Sequence, residues 1–580
     1  MQIILIIILG FTVYGDSIKG KFVWDDYFQV RDNVYIRDWA NLHKIFSEDI
    51  ASGAGYKAPF YRPVQALTYM LDYSFYHLNP GGFHLTNILL HISVALVIYW
   101  LVNLMFSDLL LSFLASGLFV VHPANTEAVA LISDRAESLG ALFMLLCLIF
   151  YIKYLKTKDV KMYFLLALSF ILALLSKENS IILPILLLLY HYVFQVKLNI
   201  KQFILPLAIA LGYFFYRAAV IKSVLVAAVS PSLCFQRIPG FFAAITDYLR
   251  LSVFPFNLHM EYSYRIFQFS EPKAIIGVVI TFLLIIYAFI KRNQDRLITF
   301  SIFWFFITLL PVSNIYPINE SYMAERWLYF PSIGLILIFA YYLRFLYKLK
   351  MPRWFSVPFI IAIIIFYSLL TIKQNKYWRE PISFYKRTLE YNPKSWRVYN
   401  ELGLEHASLG KYEEAVLDYR KALEINPNVS GAYYNLAKSY DALKKANDAD
   451  EAYRKAREIN AGFVHQYYEK GNRYAASGRY KEAIESYNRA LELDPNNIGL
   501  SLELGNLYTL TGKYKKAIEL FKKALQTNPN VAVFHNNIAV AYYFDRNYDL
   551  AVKHCDRAVQ LGYSVELKLL DWLRPYRKQE

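Results

Sequence analysis

The sequence predicts an all-α protein in two parts, a helical membrane domain followed by an α-solenoid of short helical repeats. Three observations predict this. Long apolar segments crowd the first 375 residues, and in the remainder similar residues recur every 34 positions. Charged side chains also become denser at the same point: residues 1–375 contain 50 of them, and the much shorter segment 376–580 contains 58. We therefore predict two domains, 1–375 and 376–580.

The composition of the 580-residue chain excludes several classes of protein. A hydrophobic content of 56% and an aromatic content of 17% exclude a disordered chain. The only cysteines are Cys147, Cys234 and Cys555, too few and too scattered for a disulfide framework or a cysteine metal site. The net charge of +16 is not concentrated in one basic run, so it does not indicate nucleic-acid binding.

Eleven apolar segments are candidates to cross a bilayer, which requires about 20 largely apolar residues per helix. Lys and Arg concentrate in alternate loops between them, as is typical of cytoplasmic loops. The long first loop and the C-terminal part then both lie on the non-cytoplasmic side. Segment 241–256 carries two charges, and we predict that it lies at the outer surface or dips into the membrane. The candidate spans are 2–15, 85–106, 109–131, 138–156, 162–177, 179–196, 202–221, 273–290, 297–311, 327–346 and 355–373.

Small residues recur every 34 positions in the C-terminal part, with an aromatic residue and a proline at fixed places among them. Ala461 stands where one of the prolines is expected. This period and order are the signature of the tetratricopeptide repeat (TPR), in which two antiparallel helices approach closely at small side chains. We predict five repeats and a partial leading repeat at Trp378–Pro393, with a concave face for a peptide or protein partner. Recurring positions are Gly403, Ala437, Gly471, Gly505 and Ala539; Ala415, Ala449, Ala483, Ala517 and Ala551; and Pro427, Pro495 and Pro529.

Ionisable residues within or at the ends of the apolar segments fall on the outer side in this topology. Each such group costs about 2.5–3.5 kcal/mol at membrane depth, so it is kept where it is paired or functional. The set predicts a polar cavity that opens to the outside, although any single member could instead pair with a neighbour to anchor a helix end. Its members are Asp72, Glu127, Asp134, Arg135, Glu137, Lys177, Glu178, Arg217, Glu325 and Arg326.

Two adjacent carboxylates, Asp25 and Asp26, follow the first apolar segment in the run Phe22–Tyr27. Such a pair can accept a proton or a metal ion, or it can simply cap a helix N-terminus. The same loop also carries Arg62. This context favours a catalytic role for the pair.

A series of short motifs, taken in order, resembles the TMTC family, which are membrane proteins with C-terminal TPR repeats related to protein O-mannosyltransferases. The resemblance extends over essentially the whole chain, including the TPR part. It rests on Phe22–Asp26, Tyr61–Val64, Gly82–His91, His122–Val129, Ser133–Glu137, Ser176–Asn179 and Ala324–Pro331.

The resemblance implies a GT-C glycosyltransferase that moves a sugar, by default mannose, from a polyprenyl-phosphate donor to a Ser or Thr hydroxyl of a protein on the non-cytoplasmic face. It implies that Asp25 and Asp26 are catalytic. The chemistry fits the residues independently, since a hydroxyl nucleophile needs a carboxylate base and a phosphate leaving group needs cations. With one base on one face, we predict inversion at the anomeric carbon. Predicted donor and substrate contacts are Arg62, Glu127, Asp134, Arg135, Glu137, Lys177, Glu178, Glu325 and Arg326.

Two other functions remain open at this point: a non-enzymatic membrane-anchored TPR scaffold for envelope or secretion assembly, and a transporter of lipid-linked sugar. We expect no resident cofactor, because a lone aspartate pair does not make a metal-ligand set. The short N-terminus and the sparse cysteines favour a bacterial inner membrane with periplasmic TPRs over an endoplasmic reticulum membrane with luminal TPRs.

Overall fold

The computed structural model describes residues 1–56, 58–221, 231–262, 265–317, 321–348 and 353–577. Regular structure in these ranges is helical throughout, without a strand, as the sequence predicts. The chain divides into two compact units, Met1–Glu405 and His406–Glu580. The predicted domain boundary near residue 375 stays a prediction.

The helices of the first unit are, in chain order, α1 (Gln2–Tyr14), α2 (Leu42–Ser47), α3 (Pro63–Tyr76), α4 (Pro80–Phe106), α5 (Leu109–Val121), α6 (Thr126–Ala130), α7 (Arg135–Thr157), α8 (Val160–Ser176), α9 (Leu183–Phe194), α10 (Lys201–Val220), α11 (Pro231–Val253), α12 (Pro272–Lys291), α13 (Arg296–Leu309), α14 (Ser332–Lys348), α15 (Arg353–Arg379) and α16 (Pro381–Tyr391). Next, α17 (Trp396–Ser408) begins in this unit. The main core packs residues of α1, α4, α5, α7, α8, α9, α13 and α14 together.

Six described helices are long and apolar enough to cross a membrane, fewer than the eleven predicted spans. A seventh arises if α5 and the segment Pro123–Ala130, which meet at a 56° bend, form one broken span. Three further apolar helices are shorter than a span, and they coincide with the predicted segments 162–177, 179–196 and 297–311. Segment 241–256 lies largely within α11, whose residues Ile245, Tyr248 and Leu251 are buried in a second core.

The second unit continues with α18 (Tyr412–Ile425), α19 (Ser430–Ala442), α20 (Ala446–Ala476), α21 (Tyr480–Leu493), α22 (Ile498–Leu510), α23 (Tyr514–Thr527), α24 (Ala532–Phe544), α25 (Tyr548–Gln560) and α26 (Leu567–Leu573). The recurring small residues lie where helices meet. A methyl group added at Gly505 would collide with the ring of Phe521. The period-34 pattern thus corresponds to the helix pairs of a TPR solenoid, confirming that prediction.

One repeat junction differs from the others. Helices α18, α21 and α23 each end two residues before a proline, at Pro427, Pro495 and Pro529. At the equivalent position the residue is Ala461, which does not end the helix, and α20 runs continuously for 31 residues. Proline removes a backbone donor and ends a helix, so its replacement by alanine lets two repeat helices fuse.

Candidate active site

The aspartate pair lies in a tight turn after α1. The amide of Asp26 donates to the carbonyl of Val23 at 3.0 Å, and Trp24 between them has a left-handed φ of 50°. A bulky residue in that region costs of order 1–3 kcal/mol and persists only where its surroundings hold it. The five residues that follow, Tyr27–Arg31, form a single π-helical turn, a feature often found at functional sites.

Asp26 is buried, and its carboxylate is used by the backbone. Its Oδ2 accepts a hydrogen bond from the amide of Val23 at 3.1 Å, and its Oδ1 accepts one from the amide of Ser133 at 2.7 Å. Burial raises the pKa of Asp26 to about 7 although both donors oppose the rise. Asp26 therefore fastens the first loop to the segment that precedes α7.

Asp25 differs from its neighbour because its carboxylate is half-buried and accepts no hydrogen bond from any residue in the described ranges. Burial raises the pKa of Asp25 to about 6, and the positive charge of Arg326 opposes that rise. Arg62 and Asp134 also act on it electrostatically. Asp25 is thus an unengaged carboxylate next to two arginines.

Two ion pairs bring further predicted residues to this place. The guanidinium of Arg62 grips Glu178 through two hydrogen bonds of 2.8 and 3.0 Å, and Lys177 pairs with Glu137. Asp134 interacts with the cations of both pairs, and one of its carboxylate oxygens is buried without a hydrogen-bond partner among the described residues. Residues far apart in the sequence therefore converge on Asp134.

Arg326 completes the cluster. Its backbone amide and its Nη1 both donate to Glu127, at 2.8 and 2.6 Å, and its Nε lies 3.8 Å from Asp134. The Arg326 side chain is 21% exposed and that of Arg62 is 13% exposed, whereas Glu127 is fully buried. Glu127 therefore orients Arg326, and part of the arginine side chain stays exposed.

Two of the predicted contact residues are buried and bonded to other parts of the protein. Arg135 is 0% exposed and is engaged by Asp72 at 2.6 Å and by the side chains and carbonyl of Asn87, Thr68 and Phe83. Glu325 is also buried; its Oε1 accepts hydrogen bonds from the amide of His259 and the hydroxyl of Tyr262, and burial raises its pKa. Its Oε2 has no hydrogen-bond partner among the described residues.

A small pocket lies beside the Lys177–Glu137 pair. Its walls come from the start of α7, the segment before α9, the end of α13 and the turn before α14. Polar and apolar side chains both line it. Its apolar lining includes Met144, Ile182, Val312, Trp327 and Phe330.

Within the described ranges, no group of three or more His, Cys, Asp or Glu side chains is arranged to hold a metal ion. Glu401 of α17, which interacts electrostatically with Asp25, is not among the residues that the sequence predicts for the site. No motif points to Glu401, since it lies 376 positions after Asp25 within an ordinary repeat helix.

Curated relatives share more of the chain than its TPR region. A Caenorhabditis elegans protein named as a protein O-mannosyl-transferase is 28% identical over 69% of this chain and 59% of its own length. Protein O-mannosyl-transferase Tmtc3 of Drosophila melanogaster is 24% identical over 72% of this chain and 54% of its own length, and human TMTC3 is 25% identical over 72% and 50%. This chain is a relative of the TMTC proteins. It spans only slightly more than half the length of these relatives.

The TPR assignment has separate support. Family models described as "Tetratricopeptide repeat" or "TPR repeat" match residues 396–429, 418–452, 471–510 and 505–543. Among solved structures, the TPR protein YrrB aligns at 22% identity and a TM-score of 0.18, over 33% of this chain and 97% of its own length. The family-model matches assign TPR repeats to residues 396–452 and 471–543.

Proposed function

We propose that the protein is a membrane glycosyltransferase that transfers a sugar, by default mannose, from a polyprenyl-phosphate donor to Ser or Thr hydroxyls of protein acceptors on the non-cytoplasmic face. The observation that carries the proposal is the unengaged carboxylate of Asp25 beside Arg326 and Arg62. The names of the curated relatives support mannose and a protein acceptor.

Asp25 acts as the general base in this proposal. It accepts the proton of the acceptor hydroxyl as that oxygen forms a bond to the anomeric carbon of the sugar. The bond between the anomeric carbon and the phosphate oxygen breaks, and its electron pair leaves with the polyprenyl phosphate. A pKa of about 6 suits this role, because Asp25 is ionised at neutral pH yet remains a stronger base than an exposed aspartate.

The departing phosphate needs cations that are already in place. Arg62 uses Nε and Nη2 for Glu178, so its Nη1 remains for a phosphate oxygen. Arg326 uses Nη1 for Glu127 and likewise keeps Nη2. A planar guanidinium fixed by a carboxylate is well suited to phosphate because its remaining donors are already oriented.

The donor's other parts have matching surfaces. The pocket beside Lys177 places a cation against apolar side chains, and a lipid phosphate with the start of its hydrocarbon chain would meet both there. The unpartnered oxygen of Asp134 can accept a hydrogen bond from a sugar hydroxyl. Glu137 and Glu178 orient the cations.

The protein would work as a multi-pass membrane protein whose TPR unit binds the acceptor or a partner protein. The bacterial inner membrane favoured by the sequence has no support from the comparisons. The relatives described above come from animals, which favours the endoplasmic reticulum alternative.

The test is a transfer assay with the full-length chain in detergent, a polyprenyl-phosphate-mannose donor and a Ser/Thr peptide. We expect transfer by the wild type, and loss of transfer in Asp25→Asn. Asp38→Asn is the matched control, because Asp38 lies in the same loop on the exposed surface and an asparagine there can still accept the hydrogen bond from the amide of Ala40. Unchanged transfer by Asp25→Asn would contradict the catalytic assignment. Absence of transfer by the wild type with mannose, glucose and N-acetylglucosamine donors would favour the scaffold alternative.

A further inference from the structure

The first helix of the TPR series, α17, packs against the turn formed by residues 23–26, which we call the catalytic turn. Its residues Val398 and Leu402 are buried in one core with Val23, Leu131 and Trp378. Val23 is the residue whose carbonyl and amide close the turn around Asp25 and Asp26. A helix that the sequence assigns to peptide binding therefore forms part of the support for the aspartate pair.

Further contacts support the turn on both sides of Asp25. On one flank, the hydroxyl of Tyr27 donates to Glu405 of α17, and the guanidinium of Arg31 stacks over the Tyr27 ring at 4.0 Å. On the other flank, the ring of Trp24 lies 6.1 Å from that of Tyr385 in α16. The residues on either side of the pair, 24 and 27, are thus each held by the segment 381–405.

We infer that α17 forms one wall of the catalytic turn, and that Glu405 is a positioning residue for Asp25. Glu405 acts through Tyr27. The inference rests on the proposed function, since it assigns Glu405 to the support of the same base.

The strained backbone explains why such support is needed. The left-handed conformation of Trp24 disfavours the turn, because the side chain of a residue other than glycine crowds the backbone there. Without external contacts the turn would relax and move Asp25 away from the cations. A displacement of about 1 Å at a reacting group can reduce a rate by about 100-fold. The Tyr27–Glu405 hydrogen bond lies one residue beyond the pair, close enough to prevent that relaxation.

The experiment measures transfer by the full-length chain with Tyr27→Phe, Glu405→Ala, their double variant and Glu405→Gln. We expect Tyr27→Phe and Glu405→Ala each to lower kcat about 10- to 100-fold with little change in the KM for donor. The double variant should be no slower than Glu405→Ala, because Tyr27→Phe removes only a hydrogen bond that Glu405→Ala has already removed. Glu405→Gln should retain most of kcat, since its amide oxygen still accepts the Tyr27 hydroxyl.

Glu414→Gln in α18 is the matched control, an exposed glutamate that should change neither kcat nor the pH profile. Full additivity of Tyr27→Phe and Glu405→Ala would overturn the positioning role. If the wild type shows no transfer, the proposed function fails, and hydrogen exchange of residues 22–32 in the full-length chain then decides the structural part. Tyr27→Phe and Glu405→Ala should speed that exchange and Glu414→Gln should not; equal exchange in all variants would refute the positioning role.

Discussion

Replacing each aspartate of the pair by asparagine separates a catalytic from a structural carboxylate. In the wild type, the two carboxylate oxygens of Asp26 accept hydrogen bonds from the backbone amides of Val23 and Ser133. In Asp26→Asn the side chain offers one oxygen and one NH₂ group in their place. In either orientation one amide loses its acceptor in a buried place. The expected loss of folding free energy is about 1–3 kcal/mol.

Asp25→Asn should behave in the opposite way. No hydrogen bond from a described residue is lost, so the folding free energy should change by less than about 0.5 kcal/mol. The transfer rate should fall about 10²- to 10⁴-fold, the usual contribution of a general base. Thermal unfolding in detergent and the transfer assay, run on the same preparations, measure both quantities. A stable but inactive Asp26→Asn together with an active Asp25→Asn would reverse the assignment and refute the reasoning from hydrogen bonds.

Three further predictions concern pH, stereochemistry and the TPR unit. Because burial raises the pKa of Asp25 to about 6 and the base must be ionised, kcat/KM should be constant above about pH 7 and fall as the pH drops through 6; a limb near pH 4 would contradict the role of burial. The product linkage should have the anomeric configuration opposite to that of the donor, as measured by NMR of the glycopeptide; retention would require a second nucleophile. Spin labels at the exposed positions Asp450 and Glu469 should lie about 28 Å apart at the backbone if α20 is straight, and Ala461→Pro should shorten that distance. A short distance in the wild type would mean that α20 is already broken.

The repeats were predictable because the 34-residue period is local and redundant, so five units report the same structure. The fused helix α20 was visible only as Ala461 in a proline position. A missing helix breaker permits continuation but does not require it, and a sequence pattern cannot decide between the two.

The membrane part was predictable as helical, but less so as a set of spans. Segment 109–131 is apolar enough to cross, yet its helix ends at Val121 and the chain bends at Pro123. Hydropathy measures composition along the chain, and the length of an unbroken helix depends on where packing and prolines end it.

The candidate site shows the same limit for side chains. From sequence alone Arg135, Lys177 and Arg326 are equivalent cations at outer helix ends. The structure engages Arg135 on every nitrogen and leaves Arg326 partly exposed. These differences depend on partners distant in sequence, such as Glu127, which lies 199 residues before Arg326. No local sequence pattern predicts ion pairs between residues so far apart.

The continuous helix α20 has a consequence for what the TPR unit can hold. One cleft lies against its first half around Ala452 and another against its second half around His465. At 1.5 Å per residue, these two places are separated by about 20 Å along a rigid rod. A polypeptide seated in both would need its anchoring side chains roughly six residues apart in extended conformation. The helix would then select polypeptide segments by the spacing between their anchoring side chains.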